Sequence, residues 1–457
     1  MQSTIVVDVV GLTPSLLGVH TPNLNRLIDR GAMVPLQPVT PAVTCSVQSS
    51  FTTGLLPRGH GCVANGWYFR DLSEVWLWRQ SDRLVEGEKI WQAARKRDAE
   101  FRCAKMFWWY NMYSDVDFSV TPRPIYAADG RKLPDVYTQP AQLRDELNER
   151  FGTFPLFNFW GPAAGIVSSK WIADASMHVY RSHRPTLTLI YLPHLDYCLQ
   201  KLGPGHPDVG AEVEAVDALC GRIFDEALAD GASVMVVSEY GITPVTGPVH
   251  INRCLHEAGL IAVREEQGGE LLDAGASEAF AVADHQIAHV YVRDKSRLAE
   301  VTGLLGELEG IEAVWDEEGK RRMGLDHPRS GELVALAASD RWFSYYYWLD
   351  DGRAPDFART VEIHRKPGYD PVELFVDPGL RAPKLSIAWR LAKKALGFRT
   401  LMDVIPLDAS LVRGSHGRVG EDANTGPLCI SSDPDRLPRD GISAPEVKDL
   451  VLGHIFS

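Results

Sequence analysis

A threonine hydroxyl at a predicted helix start is the first group in this chain that could do chemistry. Pro41 disfavours a helical conformation at Thr40, and Thr44 can then cap a short helix that runs to Ser50. The start of a helix carries partial positive charge and free N–H groups, which places an oxygen there well for meeting a phosphate. Taken alone, the segment around Thr44 favours an ordinary helix cap. Residues elsewhere in the chain favour a chemical role for Thr44.

Three apolar runs that look like buried strands each have an acidic residue near or just beyond their carboxyl end. The acids are Asp8, Asp196 and Glu239, and the runs are residues 5–11, 185–192 and 233–241. A buried carboxylate is costly unless it is paired or bound to a metal. Because the active sites of open α/β sheets lie at the carboxyl ends of the strands, these acids are predicted to lie at one site.

Two polar residues in glycine-rich turns could join the acids. Asn65 lies in the loop 59–66, and His416 lies in the turn 413–418, where an imidazole is exposed enough to bind a metal. Asn and glycine are ordinary in turns, and Asn65 therefore matters only if it faces Thr44. His285 and His289 are expected to be core or surface groups, which is the usual place of single histidines.

The elements that must position these residues alternate between strand and helix. This pattern predicts an α/β fold with a mostly parallel central sheet sandwiched by helices. A more charged stretch contains a second β-α-β unit at 287–292, 296–308 and 311–315, which predicts a smaller inserted α+β cap. The predicted divisions are 1–250 for the first part of the core, 251–338 for the cap and 339–457 for the second part of the core.

Composition limits the partners of the chain. Its 457 residues include 47 basic and 60 acidic ones, giving a net charge of −13, which argues against bulk binding of nucleic-acid polymers or anionic membranes. Seven cysteines without a C-x-x-C pair indicate reduced core thiols and a reducing compartment. There is no signal-peptide pattern and no apolar run of about 18 residues, and a soluble cytoplasmic protein is expected. The oligomeric state is left open.

Taken in order, these residues resemble the alkaline phosphatase superfamily, specifically its nucleotide pyrophosphatase/phosphodiesterase branch, with phosphonoacetate hydrolases nearby. The resemblance rests on Asp8, Thr21-Pro22-Asn23-Leu24, Thr44, His60-Gly61 followed by Asn65, Asp196, Ser238-Glu239-Tyr240-Gly241 and Ser415-His416-Gly417. It implies two divalent metal ions about 4 Å apart that flank the nucleophile.

The resemblance also implies a role for each residue. One metal site would consist of Asp8, Thr44, Glu239 and Tyr240, and the other of Asp196, Gln200 and His416. Thr44 would attack phosphorus and form a covalent phospho-threonine intermediate, which water then hydrolyses. Asn65 and the backbone amide of Thr44 would hold a non-bridging oxygen.

The chain departs from the family pattern at three of these positions. The family usually has histidine where this chain has Gln200, and Asp-His where it has Glu239-Tyr240. The family implies zinc, whereas oxygen-rich sites suit manganese or magnesium and a phenolate suits iron. The sequence therefore predicts an altered metal preference or a single occupied site.

The resulting prediction is a metal-dependent hydrolase of small-molecule phosphoric esters, most similar to a phosphodiesterase. One alternative is a phosphonoacetate hydrolase-like enzyme with Lys105 or Arg341 as an extra cation. Another is a non-catalytic metal- or ligand-binding member of the fold, because three ligands have changed. A sulfatase is disfavoured because Cys45 does not begin a C-x-P-x-R sequence. The substrate, leaving group and metal are left open.

Overall fold

The computed structural model describes residues 1–456, apart from the side chains of residues 394 and 395. Within these residues, nine strands form a central sheet and four form a separate sheet. The strands of the two sheets are β1 (Thr4–Val9), β2 (Ala32–Gln37), β3 (Cys103–Met106), β4 (Phe118–Pro122), β5 (Val136–Gln139), β6 (Leu187–Leu192), β7 (Ser233–Val237), β8 (Ala279–Asp284), β9 (Ile287–Val292), β10 (Ile311–Trp315), β11 (Leu333–Ala337), β12 (Leu428–Ser431) and β13 (Ile442–Ser443).

Helices surround these sheets. Those of seven residues or more are α1 (Pro22–Arg30), α2 (Thr44–Thr53), α3 (Ile90–Arg97), α4 (Gln142–Phe151), α5 (Ile166–His183), α6 (His194–Leu202), α7 (Val209–Ala229), α8 (Ile251–Glu257), α9 (Leu298–Gly306), α10 (Glu317–Met323), α11 (Pro383–Ala395) and α12 (Val447–Ile455). The remaining short strands pair in two-stranded ribbons and are Gly66–Phe69, Glu74–Leu77, Ile125–Tyr126, Lys132–Leu133, Thr243–Pro244, Gly247–Val249, Val263–Glu266, Gly269–Leu272, Arg341–Phe343 and Gly414–Ser415.

The central sheet is mostly parallel in its interior. Its strand order is β13-β2-β12-β7-β1-β6-β3-β4-β5, and the run β7-β1-β6-β3-β4 is parallel throughout. Strands β5 and β12 are antiparallel to their neighbours. All six residues of β1 are buried, as its β-branched sequence predicts for a strand covered on both faces. The predicted α/β class is confirmed.

The register of the sheet brings the acidic residues to one edge. Asp8 in β1 pairs with Tyr191 in β6 and with Val237 in β7. Glu239 therefore follows β7 just beyond this edge, and Asp196 lies in the first turn of α6, which follows β6. The carboxyl ends of the parallel strands thus bring together carboxylates that are far apart in sequence.

The second sheet is antiparallel and has the order β8-β9-β11-β10. It belongs to a second hydrophobic core, distinct from the one around the central sheet, whose buried residues apart from Leu77 lie between Val245 and Val412. The predicted β-α-β unit is present as β9, α9 and β10, although the helix is shorter than its predicted span. The boundaries at residues 250 and 338 stay a prediction.

Two expectations about composition can be compared with the fold. All seven cysteines are free, and six of them are buried, which confirms the predicted core thiols. Among residues 1–456, no helix combines the length and the apolar character that a membrane crossing requires.

Candidate active site

The helix that carries Thr44 begins differently from the prediction. Val43, with an extended backbone, precedes the helix, and Thr44 is the first helical residue rather than the cap. Asn65 replaces a local cap, because its Oδ1 accepts the backbone N–H of Cys45 at 3.0 Å. The hydroxyl of Thr44 lies 3.1 Å from the hydroxyl of Tyr240. The predicted cap role of Thr44 is therefore wrong, and its hydroxyl faces other polar side chains.

Asn65 is held from the opposite side by the second sheet. Its backbone N–H donates to Asp284 Oδ2 at 2.7 Å, and its Nδ2 donates to Asp284 Oδ1 at 3.1 Å. Asp284 ends strand β8 and is fully buried. Asn65 thus faces the start of α2, as its predicted role required, and links that helix to the second sheet.

An amide lies between the carboxylates of Asp8 and Glu239. Gln48, one turn after Thr44 on α2, donates its Nε2 to Asp8 Oδ2 at 3.1 Å and to Glu239 Oε1 at 2.7 Å. Its Oε1 accepts the backbone N–H of Trp109 at 2.7 Å, which fixes the orientation of the amide. The other carboxylate oxygens, Asp8 Oδ1 and Glu239 Oε2, are buried without a hydrogen-bond partner.

The two carboxylates lack a positive charge to balance them. Burial, reinforced by the charge of Glu239, raises the pKa of Asp8 well above its ordinary value. Burial also raises the pKa of Glu239 to about 6, although its polar neighbours Asp8, Thr44 and Gln48 offset part of this effect. No basic side chain in the described part of the chain contributes to either pKa. Two buried carboxylates with one free oxygen each fit a divalent cation, which would supply the missing charge.

The second predicted set of ligands is arranged differently. Asp196 Oδ2 accepts from Gln200 Nε2 at 2.8 Å, and Asp196 Oδ1 accepts from the hydroxyl of Tyr240 at 3.2 Å. Gln200 Oε1 accepts from the hydroxyl of Tyr369 at 3.0 Å. Protein partners therefore satisfy both oxygens of Asp196 and both polar atoms of Gln200. Burial and the charge of Glu239 raise the pKa of Asp196 to about 7.

His416 is the member of this set with a free polar atom. Its Nδ1 donates to the carbonyl of Ala42 at 2.8 Å, and its buried Nε2 lies 3.6 Å from Asp196 Oδ1 without a hydrogen bond. Within residues 1–456, no group of three or more His, Cys, Asp or Glu side chains is placed to hold a metal ion. Asp8 and Glu239 each keep one oxygen without a partner beside Thr44, whereas protein partners occupy the oxygens of Asp196 and Gln200. Both predicted metal sites stay predictions.

Four aromatic rings form a continuous stack beside these carboxylates. The ring of Tyr240 lies on His416 at 3.6 Å, His416 on His285 at 3.7 Å, and His285 on Tyr369 at 3.7 Å between centroids. His285 lies in the turn between β8 and β9 at φ 61°, a conformation that is uncommon outside glycine. Its Nδ1 donates to Asp284 Oδ1 at 2.7 Å, and its Nε2 is buried without a partner.

Sequence reasoning missed four residues of the site, namely Gln48, Asp284, His285 and Tyr369. Two of them had a readable signal, because Gln48 is one helical turn from Thr44 and Asp284 ends a buried strand as Asp8 does. His285 was expected to be a core or surface group, but it lies among the site residues. His289 is a structural core residue, with Nε2 donating to the carbonyl of Val63 and Nδ1 accepting from the backbone of Gly331.

Two basic residues considered as an extra cation lie elsewhere. Lys105 is buried and donates to the carbonyl of Tyr110, and burial lowers its pKa to about 8. Arg341 pairs with Asp340 in the two-stranded ribbon formed by Gly247–Val249 and Arg341–Phe343. Neither hydrogen-bonds to Thr44 or to the carboxylates beside it.

A cleft of about 650 Å³ opens beside the site, and Tyr240 and Ala42 are among the residues that line it. Thr44 itself is buried. The charged lining residues of the cleft are Arg418, Glu421, Asp422, Asp440 and Glu446. Because four of these five are acidic, the cleft is predominantly negative.

The chain matches a known protein family. The profile of the type I phosphodiesterase/nucleotide pyrophosphatase family matches residues 4–370, which is most of the chain. The chain belongs to this family. The resemblance found in the sequence is therefore confirmed, and the family is one of hydrolases.

Individual relatives are distant. An uncharacterized pyrophosphatase/phosphodiesterase of Schizosaccharomyces pombe is 22% identical over 237 residues, which cover 50% of this chain and 41% of that protein. The chain thus spans less than half the length of this curated relative.

Solved structures share the fold along the whole chain. Murine ectonucleotide pyrophosphatase/phosphodiesterase 5, as an inactive variant in complex with AMP, is 14% identical with a TM-score of 0.59, and the match covers 100% of this chain and 95% of that one. Phosphonoacetate hydrolase from Sinorhizobium meliloti in complex with phosphonoformate is 15% identical with a TM-score of 0.62, covering 99% and 96%. At these identities the likeness shows the fold alone.

Proposed function

We propose that this chain hydrolyses small-molecule phosphoric esters and that Thr44 is the nucleophile. The observation that carries the proposal is the position of the Thr44 hydroxyl at the first residue of α2, beside the Asp8–Glu239 pair. The helix start favours a negatively charged phosphoryl group, and the carboxylates favour a cation next to it. Membership of a hydrolase family and the likeness to a structure with bound AMP support the same reaction class.

Hydrogen bonds give the proton of Thr44 a path away from the reacting oxygen. In this proposal Tyr240 donates its hydroxyl proton to Asp196, and its oxygen accepts the proton of Thr44. As the Thr44 oxygen bonds to phosphorus, the bond between phosphorus and the leaving-group oxygen breaks, and that oxygen departs with the electron pair. The proton of Thr44 passes to Tyr240, and the proton of Tyr240 passes to Asp196. Gln200 holds the Asp196 carboxylate in place through its other oxygen. Asp196 and Tyr240 thus serve Thr44 in this proposal rather than binding a second metal.

Asp8, Glu239 and Thr44 would together hold one divalent cation. When bound, such an ion supplies positive charge for the phosphoryl oxygens and favours the deprotonated nucleophile. Because all three side chains offer oxygen, magnesium or manganese suits them better than zinc. Gln48 fixes the outer oxygens of both carboxylates and thereby directs their free oxygens to a common side.

The acidic lining of the cleft favours uncharged leaving groups. A leaving group that lies in the cleft next to Tyr240 would meet the acidic residues that line it. Like charges that face each other repel, and we therefore expect esters with uncharged leaving groups to be preferred over nucleoside polyphosphates. Comparing kcat/KM for a p-nitrophenyl diester and for ATP tests this preference.

The main experiment is a search for the covalent intermediate. Purified protein with manganese or magnesium is incubated with a p-nitrophenyl diester, quenched in acid and analysed by intact and peptide mass spectrometry. We expect turnover and a phosphorylated peptide containing Thr44, both of which are lost in Thr44→Ala. Thr246→Ala changes an exposed threonine outside the site and should leave both unchanged. Turnover that persists in Thr44→Ala would refute the assignment of the nucleophile.

The structure also favours one competing function, a non-catalytic ligand-binding protein. It is supported by the hydrogen bonds that occupy Asp196 and Gln200 and by the burial of Thr44. Such a protein would show no turnover with magnesium, manganese or zinc. It would nevertheless gain thermal stability from an anionic ligand such as AMP, and this combination of results would select the binding function.

A further inference from the structure

A short segment near the carboxyl end of the chain differs sharply from the rest in charge. Residues 381–401 contain six lysines and arginines and no acidic residue, within a chain whose net charge is −13. The same segment carries six large apolar side chains that are exposed to solvent: Leu385, Trp389, Leu391, Leu396, Phe398 and Leu401. Exposed apolar side chains grouped in this way indicate an interaction surface.

Three of these apolar residues lie on one face of helix α11 and its continuation, whereas Leu391 lies on the side of the helix that carries Ile387. Leu385, Trp389 and Leu396 follow one another at helical spacing and are 73%, 61% and 75% exposed. The opposite face holds the helix to the protein, because Ile387 packs against the second hydrophobic core and Arg390 pairs with Asp403 at 2.7 Å. The helix is therefore fixed by one face and presents a bare apolar stripe on the other.

Basic side chains flank this stripe. Lys393 Nζ lies 5.2 Å from the ring of Trp389, and Arg381, Lys384 and Arg399 are exposed. Tryptophan and leucine on one face with lysine and arginine beside them is the composition of helices that lie in a membrane interface. The helix, about 20 Å long at 1.5 Å per residue, is too short to cross a bilayer. It is long enough to lie flat in the interface.

We propose that α11 and the loop that continues to Leu401 bind the surface of a bilayer that contains anionic lipids. The apolar stripe would enter the boundary between headgroups and acyl chains, and the lysines and arginines would contact the lipid phosphates. A second copy of the chain is a poor partner for this face, because two segments with the same positive charge repel each other. A nucleic acid would match the charge but would leave the leucines in water.

This segment qualifies the expectation drawn from net charge. The whole chain is acidic and is repelled by an anionic surface, whereas the segment concentrates positive charge and apolar area in one place. Electrostatic attraction between the protein and an anionic membrane therefore depends on this segment. Added salt should weaken this attraction, because at ordinary ionic strength charges are already screened beyond a Debye length of about 8–10 Å. The inference is independent of the proposed hydrolase function.

Vesicle binding by the full chain tests the proposal. Co-sedimentation is measured with vesicles of phosphatidylcholine alone and of phosphatidylcholine mixed with phosphatidylglycerol. We expect binding to the mixed vesicles, weaker binding at high salt, and little binding to phosphatidylcholine. Trp389→Glu should weaken binding at least tenfold, and Lys393→Glu about fivefold or more, since each basic residue at an anionic surface contributes roughly that factor.

A matched control distinguishes vesicle binding by this segment from non-specific binding through other exposed apolar side chains. Phe157 is 57% exposed and lies outside the segment, and Phe157→Glu should bind vesicles as the wild type does. Trp389 is on the surface, and an unchanged circular dichroism spectrum and Tm of Trp389→Glu would show that folding is intact. Vesicle binding that Trp389→Glu leaves intact would overturn the proposal. The proposal would also be refuted if the wild type does not bind anionic vesicles. Binding of an oligonucleotide instead, or a dimer that Trp389→Glu dissociates, would then identify the partner of this surface.

Discussion

The buried Asp8–Glu239 pair carries a stability cost that one substitution should remove. Glu239→Gln keeps the size of the side chain and an oxygen for Gln48, but it removes the second negative charge. Burial raises the pKa of Glu239 from 4.5 to about 6. At about 1.4 kcal/mol for each pKa unit, the ionised form costs the folded state about 2 kcal/mol. We expect metal-free Glu239→Gln to melt a few degrees above the metal-free wild type at pH 8.

The sign of the pH dependence follows from the direction of the shift. A carboxyl with a raised pKa in the folded protein binds its proton more tightly there than in the unfolded chain. Its favourable contribution is present below the ordinary pKa of 4.5 and is lost as pH rises through about 6. The difference in Tm between variant and wild type should therefore be largest at pH 8 and should shrink as pH approaches 4.5. The comparison cancels the contributions of the buried histidines, which both proteins share.

The assay is thermal unfolding in the presence of a chelator between pH 5 and 8. Glu257→Gln changes an exposed glutamate and serves as the control, for which no shift is expected. With manganese added, the wild type should melt above Glu239→Gln. The wild type is stabilised by binding the metal, whereas the variant has lost a carboxylate ligand. A metal-free Glu239→Gln that melts below the wild type at pH 8 would refute the reasoning about unbalanced buried charge.

Three further predictions address the proton path, the cation and the scaffold. Tyr240→Phe keeps the ring stacked on His416 but interrupts the proton path from Thr44. We expect kcat to fall by a factor of about 10²–10⁴ with little change in Tm. An unchanged kcat in steady-state assays would exclude the path. Manganese affinity should rise with pH through about 6, because binding displaces a proton from Glu239, and calorimetry in buffers of different ionisation enthalpy should detect the released proton. Asp217 accepts hydrogen bonds from the backbone N–H groups of Asn23 and Leu24 at the start of α1. Asp217→Ala should lower the free energy of unfolding by about 2 kcal/mol and leave kcat/KM unchanged. A melting temperature equal to that of the wild type would contradict this prediction.

The sequence was sufficient to predict the strands and their acidic ends. Asp8 and Glu239 were expected to meet because a buried β-branched run ends in an acid in both places, and parallel strands share one carboxyl edge. Helix starts were predicted less well. The local sequence predicts Thr44 as the cap, yet Asn65 accepts the N–H of Cys45 from a separate loop. Local sequence cannot reveal a cap that comes from a distant residue.

The contacts of Gln200 and His285 could not be predicted from their neighbours in sequence. Gln200 aligned with a ligand position of the family, but the hydroxyl of Tyr369, which lies 169 residues later, fixes the orientation of its amide. His285 enters the site because a turn of the second sheet lies against His416. Both outcomes depend on how the second sheet packs against the first, and no periodicity in the chain encodes that arrangement.

The unbalanced charge of Asp8 and Glu239 ties two binding events together. An anionic ester that arrives before a cation meets two buried negative charges, whereas one that arrives afterwards meets a compensated site. The cation must then raise the affinity for the ester, and by thermodynamic reciprocity the ester must raise the affinity for the cation by the same factor. A dissociation constant measured for either partner alone would therefore describe a weaker complex than the one that forms when both are present.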